Sequence, residues 1–376
     1  MKRLLPLLLM LVLTACGDAP AGTSCFDTVL YAPAYASGFE LAGAADRQST
    51  LLRVHDPWQG AAGVEAELLL LRNGESVPEG FAGQVLAADP QRIVCMSSTH
   101  IALLDAVGAT DRIVGVSGLH YVTNAAVAAR RETIGEVGYE GNIDYEALAA
   151  LRPDLVLLYG LNGASSMEGK LRELAIPFVY VGDYLEESPL GKAEWLVAVG
   201  ELVGCRAQAE AHFAAIPQRY EALKTQVAAA VTERPGVMLN TPYGDTWFMA
   251  STASYAVRLI TDAGGDYLYK KNTTTRSLPI DLEEAAWLVG QADCWLHVGT
   301  CRTLGELKRT LPKFAEAPCV QRGAVWNCDA RTNAAGGNDY WESGIVHPDV
   351  VLRDLVQIFH PGLLPDAELV YYRKLP

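Results

Sequence analysis

Short apolar strands alternate with helical segments in two separate stretches of the chain, and this alternation constrains the fold more than any other feature. In the first stretch, strands such as residues 113–116 and 154–158 are each followed by a helical pattern. The same alternation resumes at residue 236 and runs to a last helix over about residues 350–359. Strands that alternate with helices form βαβ units, in which the strands lie parallel. The sequence therefore predicts an α/β protein with two lobes, each a mainly parallel sheet flanked by helices.

A long helical stretch separates the two alternating regions. Residues 188–232 keep a helical period and are rich in Ala, Glu, Leu and Gln, and they are too many for an ordinary crossover helix. We interpret this stretch as one long helix that bridges an N-lobe, residues 84–187, and a C-lobe, residues 233–376.

Residues 28–83 precede the N-lobe and have a strand-like pattern. Apolar runs at residues 51–54 and 65–71 lead to an Asn73-Gly74 turn signal. This pattern predicts a small N-terminal β appendage. Two interpretations of its role stay open, namely an extension of the N-lobe and a contact surface for an outer partner.

The N-terminus has the features of an export signal that ends in a lipidation site. Lys2 and Arg3 precede an apolar run, residues 4–13, which is too short to span a bilayer. The run ends in Leu13-Thr14-Ala15-Cys16, which resembles the lipobox of bacterial lipoproteins. We expect a signal peptide over residues 1–15, lipid on Cys16, a tether over residues 16–27, and a protein anchored in the periplasm or cell envelope. The alternative is an ordinary secretory signal with a chance cysteine, and the pattern does not say which membrane holds the anchor.

Charge and motifs exclude several classes of function. The chain has 30 Lys and Arg against 44 Asp and Glu, so a general electrostatic footprint for nucleic acid is not expected. It has no Gly-x-Ser-x-Gly, His-Glu-x-x-His or Walker motif, and none of its seven histidines form an i, i+4 pair. An enzyme would need ligands that converge from distant positions, such as His100, His120 and His297.

Seven cysteines remain after Cys16, and four of them cluster late in the chain. None is spaced as Cys-x-x-Cys, which argues against a zinc ribbon or a thioredoxin motif. An exported protein meets an oxidising compartment, so one or two disulfides are expected within the cluster, with connectivity left open. The four clustered residues are Cys294, Cys301, Cys319 and Cys328.

Aromatic residues fall near the ends of the predicted strands or in the loops that follow. In an open α/β sheet the ligand crevice lies beyond the carboxyl ends of the strands, where aromatic loops build flat walls. We therefore expect a cleft between the lobes, although any one of these residues could instead anchor its own loop. The aromatic residues in question are Tyr121, Tyr139, Tyr159, Tyr184, Tyr243, Trp247, Trp326 and Trp341.

An ordered set of sequence blocks resembles a known family over about residues 84–362. The family is that of ABC-transporter substrate-binding proteins for metal chelates, which bind cobalamin, haem and ferric siderophores. The blocks are Arg92-Ile93-Val94-Cys95-Met96-Ser97-Ser98-Thr99, Asp111-Arg112-Ile113-Val114-Gly115-Val116, Asp144-Tyr145-Glu146-Ala147-Leu148, Leu151-Arg152-Pro153-Asp154-Leu155-Val156-Leu157, Leu259-Ile260-Thr261-Asp262-Ala263-Gly264-Gly265 and residues 348–355.

The resemblance implies a binding protein rather than an enzyme. It would be a monomer that captures an iron or cobalt chelate in the interlobe cleft and delivers it to an ABC permease and its ATPase. The chelate is cargo, so no resident cofactor is expected, and the lipid is the only contact with the membrane. The alternative is a chelatase-like or metal-dependent enzyme on a related two-lobe fold.

The resemblance also implies two docking residues. In this family one exposed glutamate on each lobe contacts arginines of the permease. Glu146 matches the first position, and Glu283 matches the second less clearly because Glu284 is adjacent. Two separated carboxylates orient and steer a basic partner. The alternative is two ordinary solvated glutamates at helix starts.

The choice of chelate depends mainly on Tyr139. Its position resembles that of a haem-ligating tyrosine, and a phenolate suits ferric iron. The haem branch carries other residues where this chain has Gly141, Ile143 and Asp144, so Tyr139 could instead be an apolar wall against a corrin or siderophore. Tyr139 is thus a metal ligand only if the cargo is haem. The full set of expected cleft residues is Ser98, His120, Tyr121 and Tyr139 from the N-lobe, and Tyr243, Trp247, Arg276 and Trp341 from the C-lobe.

Overall fold

The N-terminal part of the protein is a single five-stranded sheet. The structure, a computed structural model, describes residues 25–87 and 89–376. The strands of this sheet are Thr28–Tyr31 (β1), Phe39–Gly43 (β2), Thr50–His55 (β3), Glu65–Leu70 (β4) and Gln84–Leu86 (β5). They pair in sequence order, antiparallel from β1 to β4 and parallel between β4 and β5. β5 lies beyond the predicted boundary of the appendage at residue 83.

The N-lobe is a parallel sheet flanked by helices, as the alternating pattern predicts. Its strands are Ile93–Cys95 (β6), Ile113–Val116 (β7), Gly135–Glu136 (β8), Gly138–Tyr139 (β9), Asn142–Ile143 (β10), Leu155–Leu158 (β11) and Phe178–Tyr180 (β12). Its helices are Ser98–Ala106 (α1), Ala125–Ala129 (α2), Tyr145–Ala150 (α3) and Glu168–Glu173 (α4). Five strands pair in parallel in the order β12-β11-β6-β7-β8, and β9 and β10 form a separate hairpin.

Polar side chains cap three of the N-lobe helices, α1, α2 and α3. Ser97 accepts a hydrogen bond from the backbone N–H of Thr99 at the start of α1. Asp144 does the same for Ala147 in α3, and both satisfy amides that a helix leaves unpaired. In α1 the cap comes two residues after β6, so the loop that contains it lies at the carboxyl edge of the sheet.

Two helices, not one, connect the lobes. Pro189–Leu202 (α5) and Arg206–Ala230 (α6) are separated by a turn at Gly204, whose φ is +75°. A side chain is excluded there because a Cβ on Gly204 would lie 2.4 Å from a carboxylate oxygen of Asp89. The predicted long bridging helix is therefore α6. All residues of α5 are buried, and α5 packs against α1, α6, α7 (Tyr255–Asp262) and β2.

The C-lobe repeats the plan of the N-lobe, which confirms the predicted two-lobe α/β fold. Its strands are Gly236–Leu239 (β13), Thr246–Met249 (β14), Asp266–Tyr267 (β15), Leu278–Asp281 (β16), Cys294–Leu296 (β17), Val325–Asn327 (β18) and Arg373–Lys374 (β19). After α7, its helices are Leu282–Gly290 (α8), Leu304–Thr310 (α9), Pro318–Gln321 (α10) and Pro348–Phe359 (α11). The main sheet has the order β15-β13-β17-β18-β19, in which only β19 is antiparallel to its neighbour, and β14 pairs with β16.

The N-terminal sheet is packed into the body of the protein. Phe39 of β2 packs against Trp195 of α5 with ring centroids 4.9 Å apart. The fully buried Glu194 of α5 accepts hydrogen bonds from the backbone N–H groups of residues 34–36 and from the hydroxyl of Tyr31, at 2.7–2.8 Å. Four donors satisfy this carboxylate, which otherwise would be costly to bury. The sheet is therefore an integral layer against α5.

Candidate functional site

Tyrosines line the carboxyl edge of the N-lobe sheet. Tyr184, Tyr159, Tyr121 and Tyr139 follow β12, β11, β7 and β8, which is also their order across the sheet. Tyr159 and Tyr184 meet edge to face, with ring centroids 6.3 Å apart. The carboxyl edge of a parallel sheet is where open α/β proteins bind ligands. The predicted aromatic wall is therefore present on the N-lobe, with Ser98 of α1 at the same edge.

Tyr121 and Tyr139 are brought together around Gly118. A Cβ on Gly118 would lie 3.2 Å from the ring of Tyr139 and 3.6 Å from the ring of Tyr121, and its φ of +74° also favours glycine. The carboxylate of Glu136 fixes both loops, because it accepts hydrogen bonds from the backbone N–H groups of Gly118, Leu119 and Gly138 at 2.6–3.0 Å. Nothing in the sequence marked Glu136, which acts through backbone amides.

Both tyrosine rings remain about half exposed, 48% for Tyr121 and 46% for Tyr139. Partial desolvation, helped by the nearby Glu136 and Tyr121, raises the pKa of the Tyr139 phenol above its usual value. Tyr139 is therefore a neutral phenol at neutral pH. It would bind ferric iron as a phenolate only with loss of that proton.

A polar floor lies below Tyr159 and Tyr184. Ser97, Thr99, His100 and Asp183 line a cavity of about 210 Å³ together with these two rings and Leu161. His100 is fully buried, and desolvation lowers its pKa to about 3, so its imidazole is neutral.

Asp183 and Lys192 form a buried pair under this floor. Their charged atoms are 3.8 Å apart, and Lys192 also donates to the backbone carbonyl of Asp183 at 2.8 Å. Thr99 donates a further hydrogen bond to the Asp183 carboxylate at 3.3 Å. Burial raises the pKa of Asp183 and lowers that of Lys192, and their mutual attraction opposes both shifts. The pair ties α5 to the loop after β12.

A second cavity, of about 510 Å³, continues from the first. Leu161 and Tyr184 belong to the walls of both. The larger cavity is lined by the loop after β12, by residues 55–61 after β3, and by Thr275 and Arg276 of the C-lobe. The two cavities together form a cleft that reaches from the N-lobe floor to the C-lobe.

Arg276 is held in place by a buried asparagine. Asn272 has no exposed surface, and its side-chain amide donates to the backbone carbonyls of Met249 and Arg276. Its carbonyl oxygen accepts from the backbone N–H of Thr274 at 3.1 Å. The guanidinium of Arg276 is exposed, and it makes no hydrogen bond or ion pair within residues 25–87 and 89–376. It is thus available to a ligand.

The predicted Trp247 is not a cleft residue. Its side chain is fully buried against Trp295 and Phe314, and its indole N–H donates to the carbonyl of Leu239 at 3.1 Å. Side chains alternate along β14, so Trp247 points into the core while its neighbour Phe248 is 48% exposed. The other two aromatic residues expected in the cleft from the C-lobe, Tyr243 and Trp341, are exposed. Tyr243 lies in the turn after β13, and Trp341 packs edge to face on Tyr340.

A loop of the C-lobe holds the N-lobe directly beside Tyr121. The carboxylate of Glu342 accepts hydrogen bonds from the backbone N–H groups of Thr123 and Asn124 at 2.8 and 2.7 Å. The hydroxyl of Thr123 donates to Asp339 at 3.2 Å. Burial raises the pKa of Glu342, and its hydrogen bonds with Thr123 and Asn124 oppose that rise.

The same loop makes contacts through Asn333 and Gly337. The Asn333 side chain donates to the backbone carbonyls of His120 and Val122, both at 3.0 Å. Gly337 lies so close to Tyr121 that a Cβ there would overlap the Tyr121 carbonyl. His120 and Tyr121 therefore lie at the junction of the lobes. We call the C-lobe side of this junction the interlobe clasp, formed by Asn333, Gly337, Asp339 and Glu342.

The two predicted docking glutamates are both exposed. Glu146 lies in the first turn of α3. Glu283 and Glu284 both lie in the first turn of α8. Glu284 pairs with Lys271, whereas Glu283 makes no ion pair among the residues that the structure describes. The structure thus separates the two adjacent glutamates that the sequence left ambiguous. Cys16 lies outside the described residues.

The late cysteines do not form the expected disulfides. Cys294, Cys301, Cys319 and Cys328 are buried free thiols, and burial raises the pKa of each. They pack as small apolar side chains.

Over the described ranges, no group of three or more His, Cys, Asp or Glu side chains could hold a metal ion. The histidines of the enzyme alternative have separate environments. His100 is in the cleft floor, His120 is exposed beside Tyr121, and His297 is buried against Tyr372. No helix in the described part of the chain has the length and apolarity that crossing a membrane requires.

Comparisons with known proteins agree with this architecture. An uncharacterised lipoprotein of Methanocaldococcus jannaschii, MJ0878, is 25% identical over 339 residues, which cover 85% of this chain and 79% of that protein. A periplasmic haem-binding protein from Pseudomonas aeruginosa has a similar fold, with a TM-score of 0.58 at 19% identity over 76% of this chain and 98% of that one. A periplasmic vitamin B12 binding protein of Vibrio cholerae has a TM-score of 0.53 at 14% identity, over 72% of this chain and 96% of that one.

A family model described as periplasmic binding protein matches residues 93–332, which is more than half of the chain. The matched residues contain the N-lobe sheet, the C-lobe sheet except β19, α5, α6 and most of the cleft. The chain belongs to the periplasmic binding protein family.

Proposed function

We propose that this protein is the extracytoplasmic substrate-binding component of an ABC importer, and that its cargo is an iron or cobalt chelate. The observation that carries the proposal is the cleft, which has a tyrosine wall on the N-lobe and an unpaired Arg276 from the C-lobe. Similar folds in proteins named for haem and vitamin B12 binding support this choice of cargo.

The cleft suits a flat, partly apolar ligand that carries an acidic group. Tyr159 and Tyr184 offer ring faces and edges to a macrocycle or to an aromatic siderophore. Arg276 can bind a carboxylate or phosphate through two parallel hydrogen bonds. If the cargo is haem, Tyr139 is the residue that would bind its iron, with Tyr121 beside it.

Delivery would depend on the exposed glutamates and on the lipid at Cys16. Glu146 on the N-lobe and Glu283 on the C-lobe would contact basic residues of the permease, which is consistent with the exposure of both. A lipoprotein among the sequence relatives supports the anchor. A monomer with one cleft would carry one chelate in each delivery.

The test is to purify the protein from its native host and record its absorption spectrum. A Soret band identifies haem, a corrin spectrum identifies cobalamin, and bound iron without either identifies a siderophore. Apoprotein is then titrated with haemin, cyanocobalamin and ferric citrate. A protein that arrives without a chelate and binds none of the three with a dissociation constant below about 100 µM would contradict the proposal.

A further inference from the structure

The N-terminal sheet reaches the cleft through two loops, a short contact at Ser37 and Gly38 before β2 and a longer one after β3. Residues 55–61 leave the end of β3 and line the 510 Å³ cavity together with N-lobe and C-lobe residues. The family model matches residues 93–332, so this loop lies outside the residues that it matches.

The loop is closed on itself and fixed to the N-lobe. Asp56 and Val64 exchange two hydrogen bonds, at 2.8 and 3.0 Å, which close residues 56–64. Trp58 packs on Tyr180 with ring centroids 5.4 Å apart. It also lies against Gly160, where a Cβ would come within 2.8 Å of the Trp58 Cβ. Because these contacts fix the loop, this part of the cavity wall is preformed.

Arg276 of the C-lobe faces this wall across the cavity. A Cβ built on Gly60 would lie 3.6 Å from a guanidinium nitrogen of Arg276. Within the described ranges that guanidinium has no partner. Two carboxylates, of Asp56 and Glu186, also line the cavity, and neither forms an ion pair with Arg276 among the described residues. Asp56 accepts a hydrogen bond from the backbone N–H of Val64, and Glu186 accepts from Ser37, Gly38 and Trp195 at 3.0–3.1 Å. The guanidinium of Arg276 thus stays unpaired beside the loop.

We infer that residues 55–61 of the N-terminal sheet form part of the ligand site, and that with Arg276 they enclose an anionic group of the bound chelate. The inference rests on the proposed function for the nature of the cargo. It assigns the N-terminal sheet a role in specificity, because the loop limits the size and charge of what can lie against Arg276. The chemical class is a chelate with a carboxylate or phosphate at its edge.

Two adjacent alanines give a matched test of the wall. Ala61 lines the cavity, whereas Ala62 is exposed and does not. Ala61→Glu places a carboxylate in the cavity that would hold the anionic group of the ligand, and Ala62→Glu adds the same charge outside that cavity. The chain carries Cys16→Ser throughout, so that it escapes lipidation. The probes are haemin, cyanocobalamin and ferric citrate, which carry propionates, a phosphodiester and citrate carboxylates respectively.

We expect Ala61→Glu and Arg276→Ala each to raise the dissociation constant of the probe that the parent chain binds by about tenfold or more. Ala62→Glu and the control Arg131→Ala should stay within about twofold of the parent. Melting temperatures show that each variant is folded.

The outcomes separate the two proposals. A parent chain that binds a probe, with Ala61→Glu and Arg276→Ala folded and equally tight, overturns the inference and leaves the proposed function standing. An Ala62→Glu variant as weak as Ala61→Glu also overturns it, because the effect is then long-range charge. A parent chain that binds no probe overturns both.

Discussion

At the scale of single residues, burial sets the charge state of His100. Its pKa is lowered to about 3 in the folded protein because desolvation disfavours the imidazolium. An unfolded chain has the ordinary value of about 6.5 and therefore binds more protons between these two pH values. The contribution of a neutral His100 to stability is present above about pH 6.5 and is lost as the pH falls below it.

Replacing His100 by leucine should therefore remove a pH-dependent cost. Below pH 6.5, the difference in free energy of unfolding between wild type and His100→Leu should shift by about 1.4 kcal/mol per pH unit in favour of the variant. Urea unfolding at pH 7 and pH 5 measures this difference. His120→Leu is the control, because its ring is exposed, and its difference from wild type should stay nearly constant. A constant difference for His100→Leu would contradict the assignment.

The proposed role of Tyr139 as an iron ligand can be tested through the proton that its phenol must release. Its raised pKa means that ligation of ferric haem displaces a proton, so haemin should bind about tenfold tighter for each unit of rising pH below that pKa. Tyr139→Phe should lose this pH dependence and change the Soret band in a haemin titration. The exposed Tyr243→Phe should keep both. If Tyr139→Phe leaves the Soret band and the pH profile unchanged, the Tyr139 ring forms part of the cleft wall and does not bind the iron.

Trp247 and Tyr139 show which residue roles the sequence can predict. The sequence predicts both in the cleft because they lie near the ends of strands. Trp247 belongs to β14, however, and the alternation of side chains along that strand points its ring into the core. A four-residue strand is too short for its period to be recognised with certainty. Residues that work through backbone amides, such as Glu136 and Glu342, leave no pattern in the sequence at all.

At the scale of elements, the N-terminal sheet depends on one buried carboxylate. Glu194→Ala removes the acceptor for three backbone N–H groups and one hydroxyl, and leaves these part-buried donors without that partner. We expect a loss of about 3–5 kcal/mol in the free energy of unfolding. Glu210→Ala on α6, where the side chain is 41% exposed, should cost less than about 1 kcal/mol. Chemical denaturation compares the two, and a loss below 1 kcal/mol for Glu194→Ala would show that packing alone docks the sheet.

The elements themselves were largely predictable, because their patterns are local. The predicted strand over residues 113–116 has the observed bounds, and the last helix, predicted over about residues 350–359, begins two residues earlier, at Pro348. Two features were not predictable for physical reasons. The break between α5 and α6 depends on the positive φ of Gly204, and the docking of the sheet depends on α5, whose uniformly buried surface gives no amphipathic period.

At the scale of the whole molecule, the two glutamates proposed to dock on the permease lie on separate lobes. Glu146→Ala and Glu283→Ala should each lower chelate uptake in the native host by about tenfold while leaving the dissociation constant of the chelate unchanged. Glu284→Ala is the matched control, because Glu284 already pairs with Lys271. Uptake of radiolabelled metal, measured beside chelate binding, checks all three. Equal uptake by Glu283→Ala and Glu284→Ala would place the second contact elsewhere.

The interlobe clasp also bears on the energetics of capture and release. A protein that must first reach a rare conformation binds with an affinity reduced by the population of that conformation. Here Glu342 and Asn333 join the lobes through four hydrogen bonds to residues 120–124, so a ligand that binds with these bonds intact would meet lobes that are already joined. Capture would then proceed at nearly its intrinsic affinity. Under the proposed function, release of the ligand would require the transporter to break these same four hydrogen bonds, and that step would limit the rate of transport.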